Sequence, residues 1–176
     1  MMEWTGFLTD RVKEVYGATR GLLAQVEETS LDWRPGTGEN WMSMGQLLAH
    51  LETACGFCMR GFVTGDWSTP DGGDIAEMTE EEMLPSADRM PAASGVEAVL
   101  EALAADEALA LAMIAEAGEG DLAARQVTAP WDPRPAPLGV QLHFCVVHLE
   151  QHKAQLFFYL KSLGVPVHTG SLYGMA

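Results

Sequence analysis

The stretch VVHLEQHKAQLFFYL, residues 146–160, is apolar along most of its length, yet it contains two histidines, His148 and His152. Each residue of an α-helix advances about 100° around the axis, so these two side chains lie about 40° apart on one face. Cys145 and Gln155 lie beside them on that face. The stretch therefore predicts a core helix that presents two imidazoles one turn apart.

Three further segments repeat apolar residues every three or four positions, which is the period of a helix. Ser43 with Gln46, and Ser94 with Glu97, have the spacing of a capping box at a helix start. Glycine followed by proline marks the end of the last helix. The predicted helices are Glu3–Glu28, one from Ser43 to Gly61 or Gly65, one from behind Ser94 to about Glu116, and Leu138–Leu163.

Four helices without an alternating strand pattern predict an all-α fold, an up-down-type four-helix bundle. The 176 residues suit one domain covering residues 1–176. Residues 66–93, between the second and third helices, are rich in glycine, proline and acidic side chains. They predict a long acidic loop, with one short helix as an open alternative. A second connector, residues 118–137, is rich in proline.

The chain carries 25 acidic against 10 basic residues, a net charge of −15. A surface this acidic repels a phosphate backbone, so we expect no nucleic-acid partner. The N-terminal sequence MMEWTGFLTDR lacks the basic and apolar regions of a signal peptide. No stretch reaches the roughly 18 uncharged residues of a membrane span. We therefore expect a cytoplasmic protein with no membrane partner, whose cysteines remain free thiols.

Two core histidines, each satisfied by hydrogen bonds, are the simplest interpretation of His148 and His152. Each buried neutral imidazole needs both a donor and an acceptor, however, and an apolar helix face offers few partners. A divalent metal ion between the rings removes that demand, and a third ligand from another helix would complete the site. His50, midway along the second helix within GQLLAHLETACGF, is the candidate third ligand. Spacing alone leaves both interpretations open.

Other groupings of reactive residues carry weaker signals. Cys55 and Cys58 form a C-x-x-C, but no second pair exists to complete a zinc ribbon, so small core cysteines are the better interpretation. Cys58 and Cys145 are candidates to line the metal pocket without being ligands. No Glu-x-x-His motif contains any of the 5 histidines, which excludes a di-iron bundle. Gln46, one turn before His50, is a candidate to support that ring.

Three features of the chain resemble the DinB-like family of metal-binding four-helix bundles. LDWRPGTGENWMSMGQLLAHL, residues 31–51, is similar to the family's Trp-Arg-Pro turn followed by a helix with a central histidine. HLEQHKAQLFFYLKSLG, residues 148–164, is similar to its H-x-x-x-H-x-x-Q pattern. The order of the four helices is the third feature. The resemblance implies that His50, His148 and His152 bind a divalent metal, zinc or nickel.

The resemblance also implies an activity, because some family members transfer low-molecular-weight thiols such as bacillithiol. Three neutral imidazoles leave a metal with its full charge and an open coordination position, as in catalytic sites. No carboxylate shares the histidine face, so thiol transfer to a small-molecule substrate is favoured over hydrolysis. A metal-dependent hydrolase and a non-enzymatic metal-binding bundle remain alternatives, and a homodimer is an open expectation. Lys153 stands where the family often has arginine and is expected to face outward.

Overall fold

The computed structural model describes residues 3–69 and 72–175, and most of them are helical. This confirms the predicted helical class, to which the structure adds a small two-stranded sheet. Short 3-10 turns join some of the elements. The helices are α1 (Trp4–Leu23), α2 (Met44–Leu51), α3 (Gly56–Thr64), α4 (Glu80–Met83), α5 (Val96–Ala124), α6 (Leu138–Ser162) and α7 (Thr169–Leu172), and the strands are β1 (Gln126–Ala129) and β2 (Asp132–Pro137).

The core lies between α1, α5, α6 and the pair α2–α3. Helix α1 packs against α5 and α6, and α3 packs against the same two helices. Each long helix buries the apolar face that its period of three to four residues creates. Fully buried leucines come from α1, α2, α5 and α6, and each contributes about 1.5–3 kcal/mol by leaving water. They include Leu8, Leu22, Leu47, Leu51, Leu103, Leu142, Leu149 and Leu156.

The predicted second helix is broken into two, so the expected continuous helix is wrong. Helix α2 ends at Leu51, residues 52–55 form a turn, and α3 begins at Gly56. The carboxylate of Asp106 on α5 accepts hydrogen bonds from the N–H groups of Gly56 and Phe57, both at 2.9 Å. These first N–H groups of a helix have no partner inside it, so a buried carboxylate stabilises a helix start here.

Glycine is required at this start because α5 comes very close. A Cβ placed on Gly56 would lie 2.1 Å from the carbonyl oxygen of Asp106. No side chain fits at that distance. Asp106 therefore fixes both where α3 begins and which residue can begin it.

Two predicted capping boxes have different outcomes. The box at Ser43 is confirmed, since Gln46 N–H donates to Ser43 Oγ at 3.2 Å and Ser43 N–H donates to Gln46 Oε1 at 2.8 Å. The box at Ser94 is wrong. Helix α5 begins at Val96, whose N–H donates to the carboxylate of Glu28 at 2.8 Å. Glu28 is available because α1 ends at Leu23, earlier than predicted.

The third helix extends beyond its predicted end. Helix α5 bends at Gly118, which has a φ of +65°, and then continues to Ala124. Left-handed φ values are readily adopted by glycine, so the sequence AGEG changes the direction of the helix without ending it. The extension buries Leu122 in the core.

The predicted proline-rich connector contains the β1–β2 hairpin. Gln126 pairs with Pro137 and Val127 with Ala136 in antiparallel register. Helix α6 then runs from Leu138 to Ser162, within one residue of its predicted end.

The acidic segment 66–93 is only partly irregular. It contains α4 and the 3-10 turns Ile75–Glu77 and Ala87–Arg89. Pro70 and Asp71 of this segment lie outside the described residues. Within residues 3–69 and 72–175, every helix is too short or too polar to cross a membrane.

Lys153 is buried, so the expectation that it faces outward is wrong. Its side chain lies on α6 with only 3% of the residue exposed. The ammonium group is 3.8 Å from the carboxylate of Glu150 and 5.8 Å from the ring centroid of Tyr173. Helices α1 and α7 pack over this face, which the helical period by itself does not reveal. Burial lowers the pKa of the Lys153 ammonium.

Candidate metal centre

Three histidine side chains from two helices converge on one point. His50 comes from α2, and His148 and His152 come from successive turns of α6. Their Nε2 atoms are 3.2 Å apart for His50 and His148, 3.1 Å for His50 and His152, and 3.0 Å for His148 and His152. The three residues that the sequence predicted to lie together do lie together.

The outer nitrogens of the two α6 rings are held by hydrogen-bond acceptors. His148 Nδ1 lies 2.9 Å from the carbonyl oxygen of Ala54, and His152 Nδ1 lies 3.1 Å from Oε1 of Gln155. A carbonyl oxygen can only accept, so these contacts assign the proton to Nδ1 in both rings. The Nε2 atoms of His148 and His152 then carry lone pairs that point at each other.

One proton cannot satisfy this arrangement. Only His50 is left to carry a proton on Nε2, and that single N–H serves one of the three close contacts. The other contacts bring lone pairs together in a partly buried place, which is unfavourable. A cation at the centre would instead attract the lone pairs, so the same convergence would become favourable.

The spacing also suits a small divalent ion. Ligand nitrogens bound to tetrahedral zinc at about 2.0–2.1 Å lie roughly 3.3 Å from one another. The observed separations of 3.0–3.2 Å are close to this value. Hydrogen bonds from the far nitrogen to a carbonyl oxygen are the usual support of metal-binding histidines. The donor set and its supports therefore fit a divalent metal.

Burial favours the neutral form that a metal ligand requires in two of the rings, those of His50 and His152. It lowers the pKa of His50 to about 4, with a further contribution from the neighbouring His152 and His148. Burial also lowers the pKa of His152, and the nearby His148 adds to this effect. A neutral imidazole keeps the lone pair that binds a cation, whereas a protonated imidazole has lost it and repels the ion.

A chain of hydrogen bonds holds His152 from behind. Gln155 accepts from His152 and donates through Nε2 to the hydroxyl of Tyr159 at 3.1 Å. That hydroxyl donates to the carbonyl oxygen of Met42 at 2.9 Å. Trp33 packs edge-on against the Tyr159 ring, with centroids 5.2 Å apart. The loop before α2 is thereby connected to the orientation of one candidate ligand.

The remaining histidines do not join the cluster. His143 lies on the far side of α6 and packs against Phe7 of α1, with ring centroids 5.3 Å apart. His168 accepts a hydrogen bond from the N–H of Gly170 at 3.0 Å and caps α7. Neither residue supplies a fourth ligand.

Gln46 does not support His50, which corrects the sequence-based expectation. Its amide group donates to the carbonyl oxygens of Ala87 and Met90. The residue therefore connects the start of α2 to the segment before α5. The side chain that supports the cluster is Gln155, from the opposite helix.

The three cysteines are free, and the side chains of Cys58 and Cys145 are hydrogen-bonded to each other. Cys145 donates a hydrogen bond to the carbonyl oxygen of Gln141 at 3.3 Å. A hydrogen bond with Cys145 lowers the pKa of Cys58, whereas burial raises the pKa of Cys55 above its usual range. Cysteine sulfurs are absent from the described cluster of candidate ligand atoms.

Sequence reasoning missed the support that the broken helix gives to His148. In a continuous helix the Ala54 carbonyl would accept from the N–H four residues later. The turn at residues 52–55 leaves this carbonyl for the imidazole. The signal was present in Gly56, whose lack of a side chain permits the turn to pack against α5.

One of the comparisons with known proteins found a match. No curated protein and no solved structure matches the chain. The family model of the DinB superfamily matches residues 11–156, which include all three clustered histidines. Since this match covers most of the chain, the protein belongs to the DinB superfamily.

Proposed function

We propose that the protein is a metal-dependent thiol S-transferase built on a four-helix bundle. His50, His148 and His152 hold a divalent ion, zinc or nickel, through their Nε2 atoms. A low-molecular-weight thiol and a small electrophilic molecule are the two substrates. The proposed compartment is the cytoplasm.

One observation carries this proposal: three imidazoles converge, and no carboxylate belongs to the described cluster. A divalent ion bound there retains its full charge and supplies the Lewis acidity that deprotonates a thiol at neutral pH. Hydrolysis would instead profit from a nearby general base, which the described cluster lacks. Thiol chemistry therefore suits these side chains better than hydrolysis.

The roles of the chain's own residues follow from their contacts. His148 and His152 are fixed in one tautomer by Ala54 and Gln155, so their lone pairs remain directed at the centre. In the transfer itself, the S–H bond of the thiol breaks and its proton passes to solvent. A C–S bond then forms as a carbon–halogen or carbon–oxygen bond of the electrophile breaks. The electron pair leaves with the halide or, in an epoxide, goes to the ring oxygen, which takes up a proton from solvent.

The test combines metal analysis with a thiol-conjugation assay. Protein loaded with zinc or nickel is incubated with several small thiols and with a halogenated aromatic or an epoxide. We expect metal-dependent conjugation that is lost in His152→Ala and retained in His143→Ala. Cys58→Ser should also retain activity, because the attacking sulfur comes from the substrate.

Other outcomes would overturn the proposal. Conjugation that persists in metal-free His152→Ala would show that the histidines do not carry the chemistry. If metal raises the melting temperature but no thiol is consumed, the protein is a metal-stabilised binding module. Metal-dependent ester hydrolysis without conjugation would favour a hydrolase.

A further inference from the structure

A cleft lies at the start of α2, between the loop that precedes this helix and the segment that precedes α5. Its volume is about 380 Å³, which is enough to hold a small organic molecule. Residues 34–41 form one wall, and Ala87 and Asp88 form the other. None of the three clustered histidines lines it, so the cleft is distinct from the candidate metal centre.

Hydrogen bonds fix the shape of this cleft. The side-chain oxygen of Asn40 accepts from the N–H of Ala87 at 2.8 Å and so connects one wall to the other. Within the first wall, Trp41 Nε1 donates to the carbonyl oxygen of Thr37 at 2.7 Å. Gly38, with a φ of +85°, permits that contact, because a Cβ there would lie 2.9 Å from the same nitrogen. The cleft is therefore present before any ligand binds.

Arg34, on the first wall, differs from the other arginines. The chain has seven arginines, and the other six each form an ion pair with an aspartate or a glutamate. Arg34 is exposed, and its side chain forms no ion pair or hydrogen bond with the residues that the structure describes. In a chain with 25 acidic residues, a guanidinium left without a carboxylate is available to bind the carboxylate of a ligand.

A carboxylate in the same cleft is also left unpaired. The side chain of Glu39 forms no ion pair and no hydrogen bond among residues 3–69 and 72–175. Asp88, on the other wall, accepts a hydrogen bond from the hydroxyl of Ser86. The loop thus holds the positive group of Arg34 and the negative group of Glu39 in one cleft without letting them pair with each other.

The two kinds of charge together decide which ligand fits. Glu39 and Asp88 repel a simple anion, and Arg34 repels a simple cation. A zwitterion instead finds a partner for each of its charges. Trp41 is 39% exposed and Pro35 is half-buried, so they offer an apolar surface beside the charged groups.

We propose that this cleft binds a free α-amino acid with an apolar side chain. The carboxylate of the ligand lies on the guanidinium of Arg34, and its ammonium group lies on the carboxylate of Glu39. The ligand's side chain packs against Trp41 and Pro35. The site needs neither a metal nor a thiol, so it is independent of the proposed transfer chemistry.

The cleft also adjoins the residues that orient His152. Trp41 packs edge-on against the ring of Tyr159, with centroids 6.3 Å apart. Burial raises the pKa of Tyr159, and the charge of the nearby Arg34 opposes that rise. An amino acid in the cleft therefore lies next to the pair of Tyr159 and Gln155 that supports His152.

The experiment measures ligand binding to metal-free protein by NMR titration. The probes are L-leucine and two matched derivatives: N-acetyl-L-leucine lacks the ammonium group, and L-leucinamide lacks the carboxylate. We expect L-leucine to bind saturably at one site. Each derivative should bind about 10-fold more weakly, because it loses one charge-assisted hydrogen-bonding group.

Substitutions assign each charge to its partner. Arg34→Ala should weaken binding of L-leucine about 10-fold and make L-leucine and L-leucinamide bind equally. Glu39→Ala should likewise make L-leucine and N-acetyl-L-leucine bind equally. Arg134→Ala and Glu116→Ala are the matched controls, because they remove the same charges from exposed positions outside the cleft. Both controls should bind L-leucine like the wild type.

Several results would overturn the inference. They are the absence of saturable L-leucine binding, equal binding of L-leucine and either derivative to the wild type, and binding that Arg34→Ala leaves unchanged. Circular dichroism of each variant shows whether its helices are intact, and the pairing of each variant with one derivative separates a lost charge from a damaged cleft. Because the titrations contain no metal and no thiol, a failure of thiol conjugation leaves their outcome unaffected.

Discussion

Two polar clusters lie on either side of the break between α2 and α3, and they differ in whether the protein itself satisfies their hydrogen-bonding groups. The carboxylate of Asp106 accepts from the hydroxyl of Tyr16 at 2.6 Å and from the N–H groups of Cys55, Gly56 and Phe57 at 3.3, 2.9 and 2.9 Å. Its acceptor sites are filled by the protein itself. Such a cluster has no remaining capacity to bind a ligand.

The histidine cluster has the opposite balance. His148 and His152 use their outer N–H groups on Ala54 and Gln155, and the three Nε2 atoms face one another without enough protons to share. Acceptors outnumber donors at the centre. Burial of polar groups therefore does not identify a functional site, whereas an unmatched excess of lone pairs does.

The largest expected effect comes from removing one of the converging rings. His50→Ala, His148→Ala and His152→Ala should each lower metal affinity by more than the roughly 10–100-fold typical of losing an outer supporting residue. Elemental analysis after gel filtration and competition with a chromophoric chelator measure this loss. His143→Ala is the control and should bind metal like the wild type.

Two of these substitutions have a second expected effect when the metal is absent. His148→Ala and His152→Ala each remove a lone pair from a crowded centre, so these metal-free variants should unfold at a urea concentration equal to or above that of the metal-free wild type. A large loss of stability in metal-free His148→Ala would mean that the cluster stabilises the fold by itself, as the Asp106 cluster does.

The next largest effect is expected on the stability of the fold, from a substitution in the Asp106 cluster. Asp106→Ala leaves a buried hydroxyl and the first N–H groups of α3 without an acceptor, and it should lower the free energy of unfolding by about 3–5 kcal/mol. Urea unfolding followed by circular dichroism measures it. Asp10→Ala, at an exposed position of α1, should change stability by less than about 0.5 kcal/mol. Equal stabilities for the two variants would contradict the assigned role of Asp106.

A smaller effect is expected from the residue that orients His152. Gln155→Ala removes the acceptor for His152 Nδ1 and should weaken metal binding by about 10–100-fold. Gln155→Glu keeps an acceptor there and should retain most of the affinity, although it loses the donor to Tyr159. Equal affinities for both variants, measured by chelator competition, would show that Gln155 does not set the ring's tautomer.

The smallest expected effect is a dependence of folding stability on pH. Unfolded His50 titrates near 6.5, and burial lowers its pKa to about 4 in the folded protein. At a pH between these two pKa values, His50 binds a proton in the unfolded chain but stays neutral in the folded one. Metal-free protein should therefore lose stability as pH falls from about 6.5 to about 4. Urea midpoints across this range measure the slope. His50→Ala should flatten it, whereas His168→Ala, at an exposed position, should leave it unchanged.

Local sequence determined those features that depend on a single helix. The period of α6 places His148 and His152 on one face, and the spacing of Ser43 and Gln46 satisfies two backbone donors within one turn. The position of His50 on an apolar face of α2 made it the candidate third member. These predictions succeed because a helix fixes the direction of neighbouring side chains whatever packs against it.

Only the tertiary structure decided where helices break and what lies behind each ring. The break after Leu51 depends on Asp106, about 50 residues later in the chain, and it releases the carbonyl of Ala54 for His148. The burial of Lys153 depends in the same way on α1 and α7. Backbone groups and charges exchange partners according to what is near in space, and helical periodicity carries no information about the neighbour that another segment will supply.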